Sequence, residues 1–182
     1  MRLEIRRICK EFGLTAIYVT HDQKEALSIS DRMAILDSGK VAQIGDAEEV
    51  YRRPISKLGA DFIGETNFIS GKVVSLEKNG GVVDTKLGIF KGALPEKASL
   101  EQEVTLSIRP ECWKLVQQSA MFNSVRGRIT QTTYLGELAQ YEFAVPDQSL
   151  KIFEMNPKFV STRGESELFA TVDADDVVIL TH

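Results

Sequence analysis

The chain has 182 residues, 43% of them hydrophobic, so one or two domains can bury apolar cores without cross-links. A formal net charge of −4 argues against the positive field that nucleic acid or an anionic membrane would require. Cys9 and Cys112 fall in no CxxC or Cys/His cluster, no apolar run approaches the roughly 20 residues of a membrane span, and "MRLEIRRICKEF" is too charged for a signal peptide. A soluble intracellular protein without a zinc site or a disulfide framework is expected.

Leu3, Ile5, Ile8, Cys9 and Phe12 follow the spacing of an amphipathic helix, and Gly13 stands where a left-handed C-cap belongs. Thr15 to Thr20 ("TAIYVT") is β-branched and apolar with little alternation, which predicts a strand covered on both faces, as in a parallel sheet. Asp22 and Glu25 have the spacing of a capping box and predict a helix to about Ser30. Arg32 to Asp37 is the next strand, and the segment between is just long enough for a right-handed crossover. Asp37-Ser38-Gly39-Lys40 predicts a tight hairpin with glycine at positive φ. A second capping box, Asp46 with Glu49, opens a further helix that Pro54 stops. This order is the last part of an open α/β sheet.

His21 stands at the carboxyl end of the predicted strand and directly before a helix, where open α/β sheets hold ligand groups. Histidines in such folds are more commonly structural, and it is the position that favours a site. An imidazole there can bond a phosphate oxygen or orient an attacking water, a contribution of about 10²- to 10⁴-fold in rate.

The run "TAIYVTHDQKEALSISDRMAILDSGKVAQIGDAEEVYRRP", Thr15 to Pro54, resembles the C-terminal end of the nucleotide-binding subunit of ABC importers, above all the group serving polyamine, iron, sulfate and sugar uptake. The resemblance implies that His21, within "THDQKEAL", is the switch histidine that contacts the γ-phosphate and helps to align the hydrolytic water. His21 is thus the candidate catalytic and ATP-contacting residue. For the complete protein the resemblance further implies ATP and Mg as cofactors and membrane permease subunits as partners. Its place is then cytoplasmic and peripheral to the inner membrane.

A phosphate loop of the form G-x-x-x-x-G-K-[ST] is missing. Gly39-Lys40 and Gly71-Lys72 have no glycine five positions earlier, and valine follows each lysine. Asp37 ends an apolar run, as a magnesium-holding aspartate does, but Ser38-Gly39 makes it a hairpin corner. The family's glutamine loop and LSGGQ-type signature are absent too. The remainder of the site is expected upstream of Met1, whether the chain is a cloned fragment, a truncated frame or an internal start. The chain alone is expected to hydrolyse no ATP and to hold no cofactor or metal, because phosphoryl transfer is almost entirely positioning and charge stabilisation.

After Gly64 short β-rich runs alternate with turn residues, among them "NFISGKVVSLE", "GIFKG", "EVTLSIRPE", "SVRGRITQTTYLG" and "VVILTH", which predicts a small barrel or paired barrels. "SGKVVS" at Ser70 and "RGRITQ" at Arg126 are a faint internal echo. This region resembles the TOBE domain that follows the ATPase in these importers, on "SIRPE", "VRGRITQTTYLGELAQYEF" and "DADDVVIL"; "KLVQQSAMFNS" and "MNPKFVSTRGESE" are departures without a place in that pattern. Residues 67–182 carry 12 Lys/Arg against 15 Asp/Glu, a net of −3, which disfavours nucleic acid. Arg109, Arg126 and Arg128 could grip an oxyanion, against the plainer reading of barrel-surface arginines.

The expected fold is therefore an α/β remnant over 1–66, the end of a P-loop ATPase sheet, followed by an all-β OB-like TOBE barrel over 67–182. Exposed apolar surface on the remnant, together with the family's dimerising TOBE region, predicts a homodimer. The competing reading is a stand-alone regulatory module whose barrel binds a small oxyanion or sugar.

Overall fold

The structure, a computed structural model, describes residues 2–78, 80–95, 98–157 and 167–181. It divides into two compact units, Met1–Gly64 and Glu65–His182, and each is described by itself.

The first unit runs α1 (Arg2–Glu11), α2 (Gln23–Ile29), β1 (Arg32–Asp37), β2 (Lys40–Asp46), α3 (Ala47–Arg52) and α4 (Lys57–Phe62). Gly13 ends α1 at φ 63°, and the Leu14 N–H reaches back to the Cys9 carbonyl at 2.8 Å, as a left-handed cap requires. Arg6 ties α1 to the end of α2 by donating to the Ile29 carbonyl at 2.9 Å and to the Asp31 carboxylate at 3.0 Å. β1 and β2 form an antiparallel hairpin whose corner, Ser38 and Gly39, lies at φ 49° and 77°. Ile35, Val50 and Ile63 are the buried centre, with Leu27, Met33 and Tyr51 packed on it. The Gln43 amide bonds the Arg53 carbonyl and the Ile55 N–H, both at 3.1 Å, and so joins β2 to the turn before α4.

Two expectations fail here. Thr15 to Thr20 forms no strand, and Thr15 to Val19 are exposed, Ile17 at 94% and Val19 at 86%. A strand of a parallel sheet draws its hydrogen bonds from neighbours, and β1, the strand expected to follow across a crossover, is paired with β2 alone. The second capping box is not made either: Asp46 makes no side-chain cap, and the Glu49 carboxylate folds onto Gly45, where an added Cβ would come within 2.9 Å of it. The helix is kept by its contact with the core through Val50.

Among its described residues the second unit is all β with two 3₁₀ turns. Its strands are β3 (Asn67–Glu77), β4 (Gly80–Thr85), β5 (Gly88–Gly92), β6 (Glu103–Ile108), β7 (Lys114–Val116), β8 (Ser124–Tyr134), β9 (Leu138–Val145), β10 (Gln148–Met155), β11 (Leu168–Thr171) and β12 (Val178–Thr181). The turns are Pro110–Cys112 and Ala174–Asp176. One sheet is ordered β12-β6-β3-β4-β5 and the other β7-β11-β8-β9-β10, so that β3 to β7 recurs as β8 to β12 with the last strands exchanged. The first sheet curls until its edges meet: the Ala93 N–H bonds the Val177 carbonyl, and the Ile179 N–H bonds the Ala93 carbonyl, each at 3.0 Å.

The echo between "SGKVVS" and "RGRITQ" thus has a geometric counterpart. β3 and β8 are each irregular in register, between Val73 and Ser75 and between Ile129 and Gln131. Gly71 and Gly127 stand at matching positions, where a Cβ would lie 2.5 Å from Val83 Cγ1 and 2.4 Å from the Ala144 carbonyl. Asn67 and Asn123 begin the two repeats, both buried. Asn67 exchanges two hydrogen bonds, 2.8 Å each, with the backbone of Lys151 in β10, while Asn123 exchanges bonds of 2.6 and 3.0 Å with that of Lys91 in β5. Each repeat clamps the third strand of the other. Phe90, Leu106, Phe143, Leu150 and Ile179 are among the apolar side chains buried between them, and the Trp113 ring meets Phe90 edge-on at 6.4 Å. The architecture is an α/β unit followed by an all-β, OB-like fold.

Candidate functional site

The loop from Thr20 to Glu25 carries His21. Asp22 is the N-cap of α2, and its Oδ1 accepts the Glu25 N–H at 2.9 Å, as the sequence predicts. The reciprocal half of the box is replaced. The Asp22 N–H goes to Thr20 Oγ1 at 3.0 Å, and that hydroxyl donates to Glu25 Oε2 at 2.9 Å. The sequence reading missed Thr20, and the signal available was a hydroxyl two residues before the N-cap. His21 lies inside this ring of bonds, contributes no side chain to it, and is exposed. Among the described residues no group of His, Cys, Asp and Glu could hold a metal ion, and no helix is long and apolar enough to cross a membrane.

Asp37 lies at the β1–β2 corner, where its carboxylate takes the Ser38 hydroxyl at 3.0 Å, the hairpin role the sequence indicates. The three arginines of the second unit have separate surroundings. Arg109 is buried and donates from Nη1 to the Glu65 carbonyl at 3.0 Å; Arg126 pairs with Glu167; Arg128 is exposed and shares its strand face with Arg126. The Lys151 ammonium reaches Glu65 at 2.6 Å, and this hydrogen bond holds its proton more tightly than usual. A depression of about 590 Å³ beside β3 offers Lys72 and Lys86, but Asp84 and Glu103 line it too, so its charge is balanced. Lys72 is itself paired with Glu101 at 2.7 Å. A second depression, about 180 Å³, lies over β8 to β10 and includes Tyr141 and Glu142. Burial first, and then the Glu154 carboxylate to which it donates at 2.7 Å, pushes the Tyr141 phenol well above its ordinary range.

Against known proteins, residues 106–180 match the TOBE domain model. The spermidine/putrescine import ATP-binding protein PotA of Trichormus variabilis is 40% identical over 146 residues, 78% of this chain and 38% of the relative. Its namesake from Pseudomonas fluorescens is 42% identical over 155 residues, 81% and 40% of the two chains. That of Thermotoga maritima is 31% identical over 189 residues, 98% and 51%. The chain thus spans from 38% to 51% of the length of these curated relatives. Among solved structures, the cytoplasmic molybdate-binding protein ModG superposes with a TM-score of 0.54 at 14% identity over 64% of this chain and 96% of its own, a likeness of fold. The chain is a relative of the ATP-binding subunits of ABC importers and carries a TOBE domain.

Proposed function

We propose that the chain is the C-terminal part of an ABC importer ATP-binding subunit, in which ATP hydrolysis drives solute uptake through membrane permeases on the cytoplasmic face of the inner membrane. The observation that carries this reading is the presence of "THDQKEAL" in a chain that is similar over 98% of its length to a relative named as an import ATP-binding protein, together with the exposed position of His21 ahead of α2. His21 contacts the γ-phosphate of ATP-Mg and helps align water, while residues upstream hold the phosphates and the metal. Residues 1–66 are the remnant of the nucleotide-binding domain, and 67–182 are the regulatory, dimerising TOBE domain. The relatives' names make polyamines the first solutes to test. Phe12, Leu14, Ile17 and Val19 expose apolar surface that favours a homodimer over a monomer.

The test is extension. The reading frame upstream of Met1 should encode a glycine-rich phosphate loop, and the extended protein should hydrolyse ATP with a kcat that His21→Ala lowers by about 10²- to 10⁴-fold. Full activity in the His21→Ala protein overturns the reading. Sedimentation of the 182-residue chain at micromolar concentration should show dimers, and a strict monomer removes that part. The balanced charge around Lys72 and the engagement of Arg109 and Arg126 give no support to the alternative of an oxyanion-binding module.

A further inference from the structure

We infer that Thr20 and Glu25 are positioning residues for His21, an assignment that rests on the reading above and adds two residues to its machinery. A hydroxyl has one proton to donate and two lone pairs to accept with, and Thr20 uses both capacities within six residues of chain. It donates to Glu25 Oε2 at 2.9 Å and accepts the Asp22 N–H at 3.0 Å. Asp22 Oδ1 closes the ring on the Glu25 N–H at 2.9 Å. The bond to the glutamate is charge-assisted, and the Thr20 side chain is half-buried, so both gain over a bond fully exposed to water.

His21 is the one residue between the two anchors, Thr20 and Asp22. Its backbone dihedrals are held from either side, and only its two side-chain torsions remain to be set by the imidazole's own partners. A group that orients water against a phosphate loses about 10²-fold in rate for a displacement of about 1 Å. Neither Thr20 nor Glu25 needs to touch the nucleotide to matter there. Capping of α2 is the separate task of Asp22 Oδ1, which a change at Thr20 leaves in place.

The experiment is NMR on the 182-residue chain, in which His21 and His182 are the only histidines. In Thr20→Val, which keeps the shape and removes the hydroxyl, the Asp22 amide should exchange about fivefold faster, the loss of one hydrogen bond. The His21 HN–Hα coupling, which reports its φ, should move toward its unrestrained average, and Thr20→Ser should restore both while the α2 amides stay unchanged. Unaltered Asp22 exchange and an unaltered His21 coupling in Thr20→Val overturn the inference. Should α2 itself fray in that variant, Glu25→Gln, which keeps the acceptor and removes the charge, is read in the same way. In the extended ATPase, Thr20→Val should lower kcat about tenfold to a hundredfold at constant KM for ATP, with rescue by serine. If the unsubstituted extended protein hydrolyses no ATP, the proposed function falls, and the NMR result still decides whether Thr20 and Glu25 fix the histidine.

Discussion

The two units use similar residues to opposite ends. "TAIYVT" in the first and "EVTLSI" in the second are both short, β-branched and apolar, yet the first is a largely exposed segment outside any strand while the second is β6, paired on both sides by β3 and β12. The difference lies in partners. β-propensity expresses fit to a pleated, half-buried surface, so a strand sequence without neighbours has nothing to fit. The second unit supplies its own neighbours by repetition, each half lending its last strand to the other and clamping the other's third strand through an asparagine. The first unit has a two-stranded hairpin, and among its described residues no further strand.

The largest contrast should come from apolar truncation. Phe143→Ala, in the core of the β unit, should cost about 3–5 kcal/mol in chemical denaturation. Ile17→Ala, measured at a dilution where the chain is monomeric, should stay within about 0.5 kcal/mol, because that side chain is then in water. Similar costs at the two positions would mean that Ile17 is packed as Phe143 is.

Next come the asparagine clamps. Asn67→Ala and Asn123→Ala each strand a backbone N–H and a carbonyl of the facing lysine, and each should cost about 1–3 kcal/mol. Near-equal losses would support the equivalence of the halves, and a loss confined to one site would show that the symmetry is one of shape alone. Gly71→Ala and Gly127→Ala make a parallel pair, each forcing a Cβ against a neighbouring strand at about 1–3 kcal/mol.

The smallest effect is electrostatic. The hydrogen bond from Lys10 holds the Asp31 carboxyl below its ordinary value, with further help from the charges of Lys10 and Arg6 and against desolvation. A depressed acid contributes stability above its unfolded pKa and loses it as pH falls through the folded value. The tie between α1 and the end of α2 should therefore hold down to pH about 4 and weaken below it. An NMR titration of the Asp31 carboxyl carbon should place its midpoint below the usual aspartate range. Lys10→Ala should return it upward, and an unshifted midpoint in the parent chain would contradict the pairing.

Local chemistry was legible in the sequence wherever it was self-sufficient. Gly13 and Gly39 have positive φ as their turns require, Asp22 caps α2, and the runs 67–77 and 88–92 are β3 and β5 to the residue. What depended on distant partners was not legible. β7 lies in "KLVQQSAMFNS", a run without strand character, because three residues suffice when β11 is already in place beside them. The second departure, "MNPKFVSTRGESE", has residues 158–166 outside the described ones. The echo at Ser70 and Arg126 gained meaning only through register, since a Gly-basic-β-branched pattern is common and a shared bulge beside it is not. At the candidate site the sequence singled out His21 and the Asp22 cap, but the spacing of Asp22 and Glu25 pointed to a reciprocal box and concealed the Thr20 hydroxyl that takes one half of it.

We propose that His21 belongs to an ATP site completed by residues outside the 182-residue chain. The most direct measurement is phosphate release from ATP-Mg by the purified 182-residue chain and its His21→Ala variant, side by side. Neither should exceed the uncatalysed background. Turnover by the parent chain that disappears with His21→Ala would contradict it.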